Sequence, residues 1–166
     1  MRRFALLPVA ALLVAAACTP KSPSGAGTTM AVDTAAFKTG LDSLRTRYIA
    51  LRTANDPTGL AALYTEDAGI DQYGVPRLRG RAAIEAAFQA DYTVRKYTLL
   101  EINPLGAEAR TNTDGSELGT FHEMSDSSGT KTHAWGRYLA AFHKDADGQW
   151  RLVYLMGFPD STKTEK

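Results

Sequence analysis

In the stretch "LYTEDAGIDQYG", Leu63 to Gly74, three acids (Glu66, Asp67 and Asp71) stand between two tyrosines, Tyr64 and Tyr73. A carboxylate carried into an apolar interior has its pKa raised by desolvation and can then exchange a proton near neutral pH. Asp67 and Asp71 are the candidates for that role. The same stretch reads as the joint between a short helix and a strand, where acids hold turn amides through local hydrogen bonds, so a structural use stays open. Period-two alternation puts Ala68, Ile70 and Gln72 on one face and Gly69, Asp71 and Tyr73 on the other. The first set is the more apolar, which turns Asp71 towards solvent or the mouth of an interior space.

His122 sits in "LGTFHEM" on the alternating face with Leu118, Thr120 and Met124, where an imidazole is either a proton carrier in a pocket or a hydrogen-bonded core group. His133 and His143 lie ten residues apart on one predicted strand, about 33 Å at roughly 3.3 Å per residue, too far to share a metal. The chain has no His-x-x-x-His, no cysteine pair and no acid at ligand spacing from a histidine, so the reading is no metal site and no cofactor. The "GAG" at Gly25 to Gly27 follows no strand and lacks the third glycine of a dinucleotide fingerprint.

The elements that must position these groups are legible from periodicity. Phe37, Leu41, Leu44, Tyr48 and Leu51 recur at spacings of four and three, which predicts a long first helix, with Asp33 as N-cap and Val32 and Phe37 as a hydrophobic staple. Asp56-Pro57 starts a short second helix with Leu60, Leu63 and Tyr64 buried. A short strand from Ala68 to Gln72 follows. A third helix begins near Gly80 and turns Ile84, Ala87, Phe88 and Tyr92 inward. The remainder reads as long strands cut by Asp114-Gly115, "DSSG" and "DADGQ". Helices first and an antiparallel meander after them give an α+β domain with the helices on one face of the sheet. On "THAWGRYLAAFH" the face with Ala134, Gly136, Tyr138, Ala140 and Phe142 suits the helices, and Tyr138 then points inward.

The start, "MRRFALLPVAALLVAAAC", has two arginines, an apolar run of about 14 residues and small residues before Cys18, which is how an export signal reads. The run is short of the roughly 20 residues that span a bilayer. Cys18 is the single cysteine, so an internal disulfide is excluded. It is either the acylation site of a lipoprotein or a free thiol left by ordinary signal cleavage. Losing residues 1–17 removes Arg2 and Arg3 and takes the formal net charge from +1 to about −1, which offers nucleic acid nothing. Residues 18–32, rich in Pro, Ser, Gly and Thr, read as a flexible tether, residues 33–160 as the domain and residues 161–166 as a disordered tail.

"LVAAAC" resembles a bacterial lipobox, with Ala15 where the pattern prefers Leu or Val. That resemblance implies a cell-envelope protein facing the periplasm or exterior, held to the membrane by its lipid alone. "NDPTGLAALYTEDAGIDQYGVPRLRGRAAIEAAF", "GTFHEM" and "GRYLAAFHKDADGQWRL" are similar to the SnoaL-like, calcium/calmodulin-kinase-association-like branch of the nuclear transport factor 2-like superfamily, over about residues 33–158. The resemblance implies a cone: a curved antiparallel sheet wrapped around the long first helix, with two further helices, enclosing a cavity. Tyr64, Phe88, His122, Tyr138 and Leu155 would wall it. It also implies a homodimer through the outer sheet face. In this branch the last strand commonly carries Asp, then Trp and Asn, after the "W-[KR]-[IL]" run. Here Leu155, Gly157 and Phe158 stand at those places, which favours a greasy cavity. The leading expectation is therefore binding of a small hydrophobic or aromatic ligand without catalysis. The alternatives are an acid–base isomerase, dehydratase or hydrolase using Asp67 or Asp71 with Tyr64, Tyr138 and His122, and a protein-interaction module presenting Trp135, Leu139 and His133.

Overall fold

The computed structural model describes residues 31–166, so the readings that fall on residues 1–30, the export signal and Cys18 among them, lie outside the described residues. Helix α1 runs Thr34–Ala54 and buries Phe37, Leu41, Leu44 and Arg52. The Asp33 carboxylate accepts from Ala36 N at 2.9 Å and satisfies a free amide of the first turn. Asn55 ends the helix in the left-handed region at φ 54, and its side-chain amide bonds Tyr97 N and O, tying the helix end to the sheet. Helix α2, Pro57–Ala61, is capped by Asp56 on Gly59 N with proline in the first turn. Helix α3, Arg81–Val94, buries Ile84, Phe88 and Tyr92.

Six strands form one sheet: β1 Tyr64–Gln72, β2 Leu78–Arg79, β3 Lys96–Ala109, β4 Asp114–Ser127, β5 Thr130–Lys144 and β6 Trp150–Glu165, in the order β2-β1-β6-β5-β4-β3. Strands β3 to β6 are the expected antiparallel meander. Ser128 and Gly129, both at positive φ, make the two-residue turn between β4 and β5, the geometry that matches strand twist. The expectation of a wholly antiparallel sheet is corrected at its other side, where β1 lies parallel to β6 and the curved sheet is mixed. Side-chain alternation marks which residues share a face but carries no strand direction, and parallel neighbours need a long crossover, here the whole chain from β2 to β5.

Residues 161–165, expected to form a tail, continue β6, with Glu165 opposite Lys131 and Thr164 opposite Thr132. Backbone pairing with the long β5 orders them, although their side chains are exposed. The register shifts around Val153: Phe142 pairs with Leu152 and Ala141 with Tyr154. This bulge inserts one residue, so Leu152 and Leu155 face the same way despite their odd spacing.

Candidate functional site

A cavity of about 220 Å³ opens between α1 and the inner face of the sheet. Each element contributes by its own period. From α1 come Leu41, Leu44, Arg45, Tyr48 and Arg52, one stripe of the helix, and Phe88 comes from α3. From β4 come Glu117, Phe121 and Glu123, and from β5 Ala134, Tyr138, Ala140 and Phe142, all from one face of each strand. The bulge at Val153 delivers both Leu152 and Leu155, and β1 adds Ile70 and Gln72.

Two arginine–glutamate pairs cross this apolar space. Arg45 Nη2 donates to Glu117 Oε2 at 2.5 Å and Nη1 to Asp42 at 2.7 Å. The second oxygen of Glu117, which is 5% exposed, accepts from the Tyr138 hydroxyl at 2.7 Å. Burial pushes that phenol above the usual tyrosine range, and Glu117 adds to the shift. Deeper in, Arg52 donates to Glu123 and to the Tyr92 hydroxyl, each at 3.3 Å, and its guanidinium lies 3.5 Å from the Tyr97 ring centroid. Burial works against the charge on Arg52, but Glu123 and the surrounding tyrosines more than offset it, and its pKa lies above the ordinary arginine value. Tyr48 and Tyr64 share a hydrogen bond at 3.3 Å, both raised chiefly by burial.

Of the residues expected at the site, Phe88, Tyr138 and Leu155 line the cavity. Tyr64 lies one layer behind it, fully buried, with its hydroxyl on Tyr48. The expected catalytic set does not converge. Asp67 is exposed and accepts from the Thr65 hydroxyl at 3.0 Å. Asp71 is held by Arg77 Nε at 2.6 Å and by the Tyr154 hydroxyl, and the Arg77 hydrogen bond holds its carboxyl below the usual carboxylate range. Glu66 pairs with Arg81 at 2.5 Å. The acids of "LYTEDAGIDQYG" thus hold local structure along β1: Asp67 and Asp71 lie on the face opposite Ala68 and Ile70, while Glu66, which shares the parity of Ala68 and Ile70, is exposed beside the register shift between Tyr64 and Gly69. His122 stands on the outer sheet face, bonded to Glu101 at 3.0 Å and His133 at 2.9 Å, with its ring 4.7 Å from that of Trp135. Among the described residues no group of three or more His, Cys, Asp or Glu gathers at metal-binding distance.

Sequence reading passed over Arg45, Arg52, Glu117 and Glu123. Their signal was present: the two glutamates and Phe121 form the face of β4 opposite His122, and the arginines continue the Leu41–Leu44–Tyr48 stripe.

The model of the SnoaL-like domain matches residues 38–155, most of the chain and every cavity-lining residue except Gly157 and Pro159. The chain belongs to the SnoaL-like domain family. No curated protein matches this SnoaL-like chain in sequence. Among solved structures it resembles a type 2 hexachlorocyclohexane dehydrochlorinase, LinA, at 12% identity and TM-score 0.71, covering 80% of this chain and 90% of that one. A putative scytalone dehydratase from Novosphingobium aromaticivorans matches at 16% identity and TM-score 0.67, over 78% and 88%. A putative calcium/calmodulin-dependent protein kinase II association domain from Xanthomonas campestris matches at 19% identity and TM-score 0.62, over 72% and 84%. At these identities the likeness shows the nuclear transport factor 2-like fold of the SnoaL-like domain and nothing finer.

Proposed function

We propose that this protein is an exported lipoprotein whose SnoaL-like domain binds a small hydrophobic or aromatic molecule in the cavity and does no chemistry on it. The observation that carries this reading is that the charged groups of the cavity wall are already matched, Arg45 with Glu117 and Arg52 with Glu123. Both oxygens of Glu117 are committed, one to arginine and one to tyrosine, so neither is free to take a proton from a ligand without breaking a bond. Apolar walls with a few fixed polar groups are the usual make-up of a binding cavity. Native mass spectrometry against a library of uncharged lipophilic and aromatic compounds should retain at least one in 1:1 stoichiometry, and Ala134→Phe, which narrows the cavity, should weaken it at least tenfold. No retained compound and no shift in melting temperature across the library would remove the reading.

One observation favours a second reading, an acid–base isomerase, dehydratase or hydrolase: the 2.7 Å bond between Tyr138 and Glu117 inside the cavity. The dehydrochlorinase and the putative dehydratase among the structural neighbours give it weight. Its seat would be Glu117 and Tyr138 in place of Asp67, Asp71 and His122. Turnover of a bound compound, abolished in Glu117→Gln, would replace the binding reading with this one.

The export and lipid anchor, with a cell-envelope location, rest on the signal-like start and Cys18. Labelled palmitate should enter the wild-type chain and not Cys18→Ser, and equal incorporation removes the anchor. A homodimer is proposed through the outer sheet face, where Leu118, Trp135, Leu139 and Phe158 are exposed on neighbouring strands. Sedimentation of the soluble form at tens of micromolar should give a dimer. A monomer contradicts it and leaves that face to a different protein.

A further inference from the structure

Four side chains on the outer sheet face form a patch that the cavity does not use. His122 and Met124 are neighbours on one face of β4, and His133 and Trp135 hold the matching places on β5, with His122 opposite Trp135 and Met124 opposite His133. The β4–β5 ladder keeps one register from Asp114 to Ser127, so all four share a face. They lie towards the β4–β5 turn, four residues from the exposed Leu118 and Leu139, about 13 Å along the strands. The imidazoles are already aimed at each other: His122 Nε2 and His133 Nδ1 are 2.9 Å apart, and the rings lie within 16° of parallel. The Trp135 indole is parallel to both, 4.7 Å from His122 and 5.5 Å from His133. Glu101 accepts from His122 Nδ1 at 3.0 Å, which puts the proton of the neutral ring on Nδ1 and leaves Nε2 with its lone pair. A carboxylate behind one ring nitrogen is how proteins orient a histidine whose other nitrogen holds a metal.

The donor set decides which metal. Two neutral imidazoles and a thioether bring no negative charge and no oxygen, so the hard cations magnesium and calcium find nothing to bind. The thioether is a soft donor that favours the cuprous ion, and imidazole suits copper as well. We infer that His122, His133 and Met124 form a surface site for the cuprous ion, with Glu101 orienting His122 and Trp135 lying against the metal. The cation takes the place of the proton between the rings. The His133 proton moves from Nδ1 to Nε2, both rings stay neutral and no electron is transferred. Two bonds of about 2 Å span up to about 4 Å, so the imidazoles part by about 1 Å. Neither ring belongs to the helix-packed core, which leaves them free to do so. Trp135, stacked on both rings, brings an indole face beside the bound cation. The absence of a cluster of three His, Cys, Asp or Glu among the described residues leaves this set untouched, since its third donor is methionine sulfur. The site goes beyond the cavity reading and does not depend on it.

The test is anaerobic titration with cuprous ion against the chromophoric competitor bicinchoninate. It uses the full-length Cys18→Ser chain, so that the thiol does not take the metal. The chain should withdraw one ion per molecule from the competitor. His122→Ala and His133→Ala each remove a ligand and should weaken binding by about a hundredfold or more, beyond the roughly tenfold loss expected when Glu101→Gln frees the His122 ring. Met124→Leu, which conserves volume, should cost about tenfold by removing the soft donor. Trp135→Phe should abolish most of the fluorescence change on loading while the ion still binds, because the other tryptophan, Trp150, is buried against Phe37. Failure to withdraw the ion overturns the site, as does one-to-one binding that survives in the His122→Ala, His133→Ala double variant. Unchanged affinity in Met124→Leu, or tighter binding of zinc(II) than of the cuprous ion, overturns the assignment to a soft cation.

Discussion

Replacing Arg52 by methionine is expected to lower the free energy of unfolding by about 3–5 kcal/mol, the usual cost of removing one partner from a buried ion pair. The side chain is 10% exposed and Glu123 is 24% exposed, so the carboxylate left behind is poorly solvated. The loss is not confined to the pair. Arg52 also donates to the Tyr92 hydroxyl and lies against the Tyr97 ring, so α1, α3, β3 and β4 all lose a shared anchor. Methionine keeps the apolar stem of arginine and drops the guanidinium, so the deficit reports on the charge, its bonds and the space the guanidinium filled. Arg52→Lys should fall between, since an ammonium keeps the charge and loses the planar stack. Urea unfolding followed by circular dichroism measures both, with the slope expected to stay constant. A loss below about 1 kcal/mol for Arg52→Met would mean that Glu123 escapes to water and the pair is peripheral to the fold.

Trp150→Ala should cost about 3–5 kcal/mol through the cavity it leaves, enough to lower the melting temperature by about 10 °C or more. Trp150 opens β6, is 7% exposed and meets Phe37 edge to face with ring centroids 5.0 Å apart. Its indole rests on Gly40 in α1, where an added Cβ would stand 2.2 Å from the indole Cδ1. That explains a glycine in a helix interior, which costs up to about 1 kcal/mol against alanine. The helix gives up propensity there so that the last strand can dock closely. Gly40→Val should therefore destabilise by the converse route, overpacking the same joint. If Gly40→Val stabilised the protein, the indole would not be seated on the helix.

Much of this protein was set by local chemistry. Asp33 and Asp56-Pro57 start helices because a carboxylate beside free amides and a ring that fixes φ act within four residues. Phe37, Leu41 and Leu44 recur at 3.6-residue spacing and are buried whatever covers them, and Ser128-Gly129 turns the β4–β5 hairpin within its own loop. Alternation likewise put His122 with Leu118, Thr120 and Met124 as one of the two sets of side chains on β4. It could not say which set faces inward, since that depends on where α1 lies. Tertiary packing chose the glutamate face, and His122 was left outside against Trp135 and His133. The polar site has the same origin: Arg45 and Glu117 are 72 positions apart, and no spacing rule joins them. The parallel pairing of β1 with β6 and the bulge at Val153 that turns Leu155 inward depend on which strand becomes the neighbour. Periodicity acts along the chain and fixes what each element can bury. Direction, register and the choice of inner face are properties of pairs of elements, so they were decided only when the sheet closed around the first helix.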